Sequence, residues 1–236
     1  MSTQESYSSL EASVARRPAP QFVLAPAAQS AIPARRDTGW LQAFLKRSLD
    51  LAVSLPLLLL CAPLLLIIAG LIRMDSAGPV LFRQTRRGKG GKPFDIVKFR
   101  SMRVMENGDD VVQAVRNDPR ITRFGAWLRK SSLDELPQLW NVISGEMSLV
   151  GPRPHARAHD QLYGILIADY TLRQSVKPGI TGWAQIHGHR GETSTLEAMR
   201  RRVELDLWYA RHCSAALDVK ILLRTPLEVL RSRNAY

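Results

Sequence analysis

The longest apolar stretch of the chain runs from Leu51 to Ile72 and contains no charged residue. A straight helix of that length reaches about 33 Å, enough to cross a hydrocarbon core of about 30 Å. Pro56 and Pro63 lie inside it, and each removes a helical hydrogen bond and clashes with the preceding turn. Pro63 divides the stretch into arms of about 18 Å and about 14 Å, each too short to cross alone.

Basic residues lie on both sides of this stretch. Lys46 and Arg47 precede it, and residues 73–103 contain nine basic residues against two acidic ones. Short basic flanks resist export, so both ends prefer the cytoplasmic side. The pattern predicts a re-entrant helix–break–helix over residues 39–73, with the break at Pro56 and Pro63. A kinked span and a buried helix of a soluble core are the alternatives.

The other patterns divide the remainder of the chain into a tail and a globular domain. Residues 1–38 are rich in Ser, Ala and Pro without an apolar period, which is typical of a disordered tail. In the domain, residues 74–236, strand-like segments on both sides of a glycine-rich turn predict a β-hairpin. Helical periods are predicted for segments 120–130, 134–144, 160–176, 194–212 and 217–231. The predicted fold is α+β and helix-dominated: a membrane hairpin, then a cytoplasmic domain with a small β-hairpin and interfacial helices.

The charge of the chain narrows the class of partner. Lysine and arginine number 33 against 21 acidic residues, a formal net charge of +12. This favours anionic partners such as nucleic acid, lipid headgroups or phosphorylated substrates. Two cysteines are too few for a disulfide framework, so a reducing, cytosol-facing protein is expected.

Two adjacent carboxylates, Asp134 and Glu135, stand out in the segment "SSLDELPQLWNV". One interpretation is structural, because Ser132 and Glu135 have the spacing of a capping box and Pro137 suits a first helical turn. The other interpretation is catalytic. A helix N-terminus keeps a carboxylate ionised and attracts phosphate, and an ionised Asp can attack phosphorus to form an acyl phosphate. The neighbouring Glu135 could then hold a hard divalent ion.

Other candidate motifs are weaker. In "GPRP", Pro152 and Pro154 stiffen the backbone around Arg153, as a phosphate clamp requires, although this motif taken alone favours an ordinary surface turn. "RRGKGGK" lacks the spacing and the terminal Ser/Thr of a nucleotide-binding phosphate loop. The histidine pairs lack the further ligands that zinc would need.

Several long motifs occur together in one order: "KRSLD" before the proline-broken segment, "FDIVKFRSM", "LRKSSLDELPQLWNVISGEMSLVGPRP", "KPGITGWAQIHGHRGET" and "RRVELDLWYARH". In this the sequence resembles the bacterial sugar transferase family, the small monotopic polyprenyl-phosphate glycosyl-1-phosphate transferases. The resemblance covers residues 44–230. The tail lies outside it, and Ala62-Pro63 replaces the Ser-Pro that relatives often show at the membrane break.

The resemblance implies transfer of a sugar-1-phosphate from a UDP-sugar to undecaprenyl phosphate, with release of UMP, as the first membrane step of exopolysaccharide or capsule synthesis. It implies a covalent phosphosugar–aspartate intermediate and Mg²⁺. Carried over by motif, Asp134 matches the nucleophile and Glu135 its acidic partner at the metal. Four basic residues match positions near phosphates: Lys98, Arg100, Arg129 and Arg153.

The resemblance also bears on the sugar and the location. The stretch "GHRGETSTLEAMRRRVELDLWY" is more similar to glucose-1-phosphate transferases than to galactose or N-acetyl-sugar enzymes, so glucose is favoured and galactose is the alternative. The implied location is the bacterial inner membrane, with the catalytic domain facing the cytoplasm. Membrane lipid is an expected partner, nucleic acid is not, and a homo-oligomer is left open. The rival classes are a membrane-tethered nucleic-acid binder and a non-catalytic scaffold, neither of which would depend on Asp134 for catalysis.

Overall fold

The computed structural model describes residues 39–103, 118–191 and 195–231. The predicted tail at residues 1–38 lies outside these ranges. Within them, helices dominate and the strands form two small two-stranded sheets, which confirms the predicted α+β class.

The apolar stretch folds into helix α1, Trp40–Asp75, which continues through both Pro56 and Pro63. The predicted separation into two helices is therefore not present, because the backbone keeps its helical geometry past each proline. A proline inside a helix costs local hydrogen bonding and bends the helix, but it need not end it. In the part of the chain that the structure describes, α1 is the one helix long and apolar enough to cross a membrane.

The N-terminal third of α1 is bound to the rest of the domain through polar side chains. Arg47 donates from Nη1 and Nη2 to the carbonyls of Val142 and Ile143, at 2.7 and 2.8 Å. Asp50, on the next turn, is buried and accepts hydrogen bonds from the Ser148 hydroxyl and the Leu149 amide, both at 2.9 Å. These bonds fix the start of the helix against the segment that carries residues 142–149.

The C-terminal end of α1 is bound to the same domain through a separate apolar cluster. Ile68 and Ile72 are buried there with Phe99 and Leu128. Between the two attachments, the middle of the helix presents leucines outward, and Leu60 is 78% exposed. The exposed leucines in the middle of the helix thus lie between two anchored ends.

The predicted β-hairpin is confirmed. Strands β1, Leu81–Arg87, and β2, Pro93–Phe99, pair antiparallel, with Leu81 opposite Phe99 and Arg87 opposite Pro93. The turn between them places Gly90 and Gly91 at φ +68° and +74°, a conformation that glycine adopts without a Cβ clash.

After the hairpin the chain alternates short helices with two very short strands. In chain order the elements are α2 Arg123–Ser131, a 3₁₀ turn Leu133–Gln138, α3 Leu139–Ser144, β3 Ser148–Val150, α4 Arg157–Leu166, a 3₁₀ turn Tyr170–Ser175, β4 Gly179–Thr181, a 3₁₀ turn Gln185–His187, α5 Leu196–His212 and α6 Ala215–Arg231.

Three features of this region differ from the sequence-based expectation. The helix predicted for 134–144 begins as the 3₁₀ turn Leu133–Gln138 and is α-helical only from Leu139. The helix predicted for 160–176 ends at Leu166, because Asp169 takes the left-handed conformation at φ +61° and redirects the chain into a 3₁₀ turn. The parallel pairing of β3 with β4 was not predicted, since each strand has three residues.

The main core lies between the hairpin, α3, β3, α5 and α6. Its buried members include Phe94, Val142, Met147 and Ile221. Val53, Leu57 and Leu58 of α1 pack against it. This part of α1 thus packs against the domain's own hydrophobic core.

Candidate active site

The two carboxylates Asp134 and Glu135 lie in the 3₁₀ turn that directly follows α2. Ser132 connects the two elements in the left-handed conformation, at φ +58°, which costs a non-glycine residue about 1 kcal/mol. The capping-box interpretation is wrong. The Ser132 hydroxyl accepts from Nη2 of Arg190 at 2.5 Å, and the Glu135 amide donates to the Ser132 carbonyl instead.

Glu135 is paired with two cationic side chains. Its Oε1 accepts from Nζ of Lys98 at 3.1 Å, and Arg153 binds both carboxylate oxygens, with Nη1 to Oε2 at 3.0 Å. Burial by itself raises the pKa of Glu135, but the charges of Arg153 and Lys98 and their hydrogen bonds hold it well below its usual range. Glu135 is therefore ionised and held in a fixed position.

Asp134 lies in a different environment although it is the adjacent residue. Among the residues that the structure describes, none donates a hydrogen bond to its carboxylate. Burial and the negative charge of Glu135 raise the pKa of Asp134 to about 6, against the opposing charges of Lys98, Arg129 and Arg153. A short 3₁₀ turn lies where the sequence predicts a helix start, and burial is the largest cause of the raised pKa of Asp134.

The two cations reach the acidic pair from separate elements. Lys98 lies on β2, and Arg153 lies in the loop that follows β3. That loop runs close to the segment before β4: the Gly151 amide donates to the Thr181 carbonyl at 2.9 Å, and a Cβ on Gly151 would lie 2.3 Å from the Lys177 carbonyl. Glycine is required at this position so that the loop can bring Arg153 to Glu135.

The other two predicted basic residues have different positions. Arg129, in the last turn of α2, is close enough for its charge to lower the pKa of Asp134. Arg100 is not brought to the acidic pair. Its guanidinium is buried at the end of α1, where it donates to the backbone carbonyls of Ser76 and Ala77.

A buried polar network behind Arg153 was missed by the sequence reasoning. Arg173 donates to the Arg153 carbonyl and to Asp206, and Tyr170 donates to Asp160. The residues of this network are up to 53 positions apart in the chain. Several of them lie in segments whose sequence pattern is that of an ordinary helix. No local signal distinguishes them from solvated charges.

The acidic pair meets the usual requirement for Mg²⁺, which binds through one or two carboxylates together with substrate phosphates and water. No group of three His, Cys, Asp or Glu side chains suited to a metal occurs in the described ranges, so a closed, all-protein cage is not formed there. Direct coordination by Glu135 would replace one of its hydrogen bonds to Lys98 or Arg153, whereas the Asp134 carboxylate has none among these residues to give up. The magnesium site stays a prediction.

The sequence is similar to those of known proteins. The sequence model of the bacterial sugar transferases matches residues 41–232. UDP-glucose:undecaprenyl-phosphate glucose-1-phosphate transferase of Escherichia coli K12 is 55% identical over 192 residues, which is 81% of this chain and 41% of that protein. The protein of the same name from Caulobacter vibrioides is 52% identical over 191 residues, 81% of this chain and 72% of the relative.

A relative with a different sugar in its name is less similar. UDP-N-acetylgalactosamine-undecaprenyl-phosphate N-acetylgalactosaminephosphotransferase of Aeromonas hydrophila is 41% identical over 189 residues, 80% of this chain and 44% of that protein. The chain thus spans less than half the length of two of these three relatives.

Proposed function

The chain belongs to the bacterial sugar transferase family, and on that premise we propose that it transfers hexose-1-phosphate from a UDP-sugar to undecaprenyl phosphate, with release of UMP. Such a reaction is the first membrane step of exopolysaccharide or capsule synthesis. The observation that carries the proposal is the contrast within the acidic pair. Glu135 is fixed by two cations, while the adjacent Asp134 carries no hydrogen-bond donor among the described residues and stays available for attack.

Glucose is the favoured sugar. The relatives from Escherichia coli and Caulobacter vibrioides, at 55% and 52% identity, carry UDP-glucose in their names, and the N-acetylgalactosamine relative is 41% identical. Galactose is the alternative within the same family. A UDP-sugar panel assayed for UMP release distinguishes the two.

In the proposed first step, a carboxylate oxygen of Asp134 attacks the phosphorus that carries the sugar. The bond from that phosphorus to the bridging oxygen breaks, and UMP leaves with the electron pair. In the second step a phosphate oxygen of undecaprenyl phosphate attacks the same phosphorus, and the acyl phosphate bond breaks to restore the Asp134 carboxylate. The product is the sugar joined to the lipid through a diphosphate.

Charge neutralisation is the main requirement of both steps, because an anionic nucleophile attacks an anionic phosphate. Lys98 and Arg153 supply positive charge at the acidic pair, and Arg129 adds to it. We propose that Mg²⁺ is held at the pair and at the substrate phosphates. When bound, it would supply further positive charge to the phosphoryl oxygens.

We also propose that α1 is re-entrant and that the domain faces the cytoplasm. Two observations support this. Both ends of α1 are attached to the same domain, near Arg47 and near Ile72, and basic residues flank both ends. A bend at Pro56 and Pro63 would let the exposed middle of the helix dip into one leaflet.

The test of the reaction is UMP release from UDP-glucose with undecaprenyl phosphate. Wild type should release UMP, and Asp134→Asn should reduce release to background while leaving the protein in the membrane fraction. Normal turnover by Asp134→Asn would overturn the covalent mechanism. Asp95→Asn, on the exposed side of the hairpin, is the matched control and should stay active.

A further inference from the structure

A cleft with a volume of about 220 Å³ opens between α1 and α6 and reaches Glu135 of the acidic pair. Val53 and Leu57 of α1 form one wall, and Leu222 and Val229 of α6 form another. Most of the lining surface is carbon. Since Glu135 also lines this cavity, the α1–α6 cleft joins the membrane-type helix directly to the candidate active site.

The α1–α6 cleft also has charged lining residues, namely one cation, Arg190, and two carboxylates, Glu135 and Glu228. Arg190 and Ser132 line it beside Glu135. Nη2 of Arg190 donates to the Ser132 hydroxyl, and in the described ranges no carboxylate pairs with this guanidinium. An arginine held by a neutral partner keeps donors available for a phosphate, which it can bind through two parallel hydrogen bonds.

A buried amide in the same lining is incompletely paired. Gln185 is 6% exposed, and its amide nitrogen donates to the Ile180 carbonyl at 3.0 Å. Its carbonyl oxygen has no donor among the described residues. Buried polar atoms without a partner are unusual in folded proteins. Neither an isoprene unit nor an ionised phosphate can donate to this oxygen, so an ordered water would supply the missing bond.

We propose that the α1–α6 cleft binds the isoprene units next to the phosphate of the lipid acceptor, with that phosphate at Arg190. The proposal rests on the proposed function, because it assigns a place to one of its two substrates. An isoprenyl phosphate would place its apolar chain against the walls formed by α1 and α6 and its anionic head at Arg190. The chain would enter from α1, whose exposed middle lies in lipid.

The sugar nucleotide fits the α1–α6 cleft poorly. Its uracil, ribose and hexose carry many hydrogen-bonding groups, and burying those against an apolar wall would leave them unpaired at a cost of about 1–3 kcal/mol each. The acyl chain of a bilayer phospholipid is the other apolar occupant. A phospholipid is not a substrate of the reaction, so the dependence of the rate on acceptor concentration distinguishes a cleft that binds the acceptor from one that binds a phospholipid chain.

The experiment uses the full chain in lipid nanodiscs and varies the undecaprenyl phosphate concentration. Leu222→Trp fills the cleft, and Leu223→Trp is the matched control, because Leu223 is the next residue but is 73% exposed. Leu222→Trp should raise the half-saturating acceptor concentration by about tenfold, the loss expected when two methylenes leave an apolar wall. Leu223→Trp should change it less than twofold.

Val229→Trp, at the other end of the same wall, keeps the proposal testable if Leu222→Trp does not fold, and should have the same effect. Equal effects of the cleft and control variants, or no effect of either cleft variant, would overturn the proposal. Exchange of labelled UMP into UDP-glucose, without acceptor, tests the first step separately. Wild type that shows no exchange and no UMP release would refute the proposed function instead.

Discussion

Arg173 donates a hydrogen bond from Nη2 to the backbone carbonyl of Arg153, at 2.6 Å. The same guanidinium forms a buried salt bridge with Asp206 of α5, at 2.7 Å. Arg153 in turn holds Glu135 through both carboxylate oxygens. A charge on α5 is thereby connected through two arginines to the acidic pair, and the position of Arg153 depends on residues that never contact Glu135.

Arg173→Lys should therefore lower turnover while leaving the protein folded. A lysine keeps a positive charge beside Asp206, but one ammonium group cannot also span to the Arg153 carbonyl as the planar guanidinium does. We expect UMP release to fall by about tenfold, which corresponds to about 1.4 kcal/mol of lost stabilisation. The Michaelis constant for UDP-glucose should change less than the turnover number.

Arg201→Lys is the control for that substitution. Arg201 pairs with Glu204 on the solvent face of α5, where both side chains are about 60% exposed, and exposed pairs contribute little. If Arg173→Lys lowered only the melting temperature and left the activity of the folded protein unchanged, Arg173 would have a structural role alone.

Arg153→Lys should reduce activity more strongly than the same substitution at a surface arginine does. Lysine can donate to one carboxylate oxygen of Glu135 but cannot form the two-pronged contact, so Glu135 would lose part of its fixed orientation. We expect at least about tenfold slower UMP release. Arg157→Lys, at the exposed start of α4, is the comparison, and equal losses in the two variants would contradict a specific role for Arg153.

The elements that could be predicted from sequence are those with a local cause. The apolar composition of residues 51–72 predicts a membrane-type helix, and two strand-like segments around Gly90 and Gly91 predict the hairpin. The acidic pair could be singled out because two adjacent carboxylates between leucines are unusual. In each case the signal lies within a few tens of residues.

What could not be predicted depends on partners distant in the chain. Lys98 and Arg100 are two residues apart and would share a face of a longer strand, but β2 ends at Phe99, so Arg100 turns to the end of α1 while Lys98 reaches Glu135. The capping box predicted at Ser132 does not form, because Ser132 has a left-handed backbone conformation and its hydroxyl accepts from Arg190, which is 58 residues away in the chain. Spacing alone gives no information about either partner.

The topology of α1 can be tested with single cysteines in a chain in which Cys61 and Cys213 are replaced. Trp40→Cys and Lys89→Cys both lie at exposed positions outside the apolar middle. Because both ends of α1 are attached to one domain, we expect an impermeant maleimide to label the two sites from the same, cytoplasmic side. Leu60→Cys should be labelled from neither side, and labels on opposite sides of the membrane at Trp40 and Lys89 would rule out re-entry.

His155 should make the stability of the fold depend on pH. It is buried, and its Nδ1 lies 2.6 Å from the Tyr170 hydroxyl and 2.7 Å from Nη1 of Arg173, a cation that disfavours a positive charge on the ring. Burial and the positive charges of Arg173 and Arg202 hold the pKa of His155 well below 6.5. Below that value the unfolded chain takes up a proton that the folded chain does not.

The free energy of unfolding contributed by this site is therefore complete above pH 6.5 and is lost as the pH falls, by up to about 1.4 kcal/mol per pH unit. His155→Gln removes the titrating group, so its stability should vary less between pH 7 and pH 5 than that of wild type, although its absolute stability is lower. Denaturant unfolding in detergent at several pH values measures this difference. His187→Gln, at an exposed position, should keep the wild-type pH dependence. An unchanged slope in His155→Gln would show that His155 is not held neutral in the folded protein.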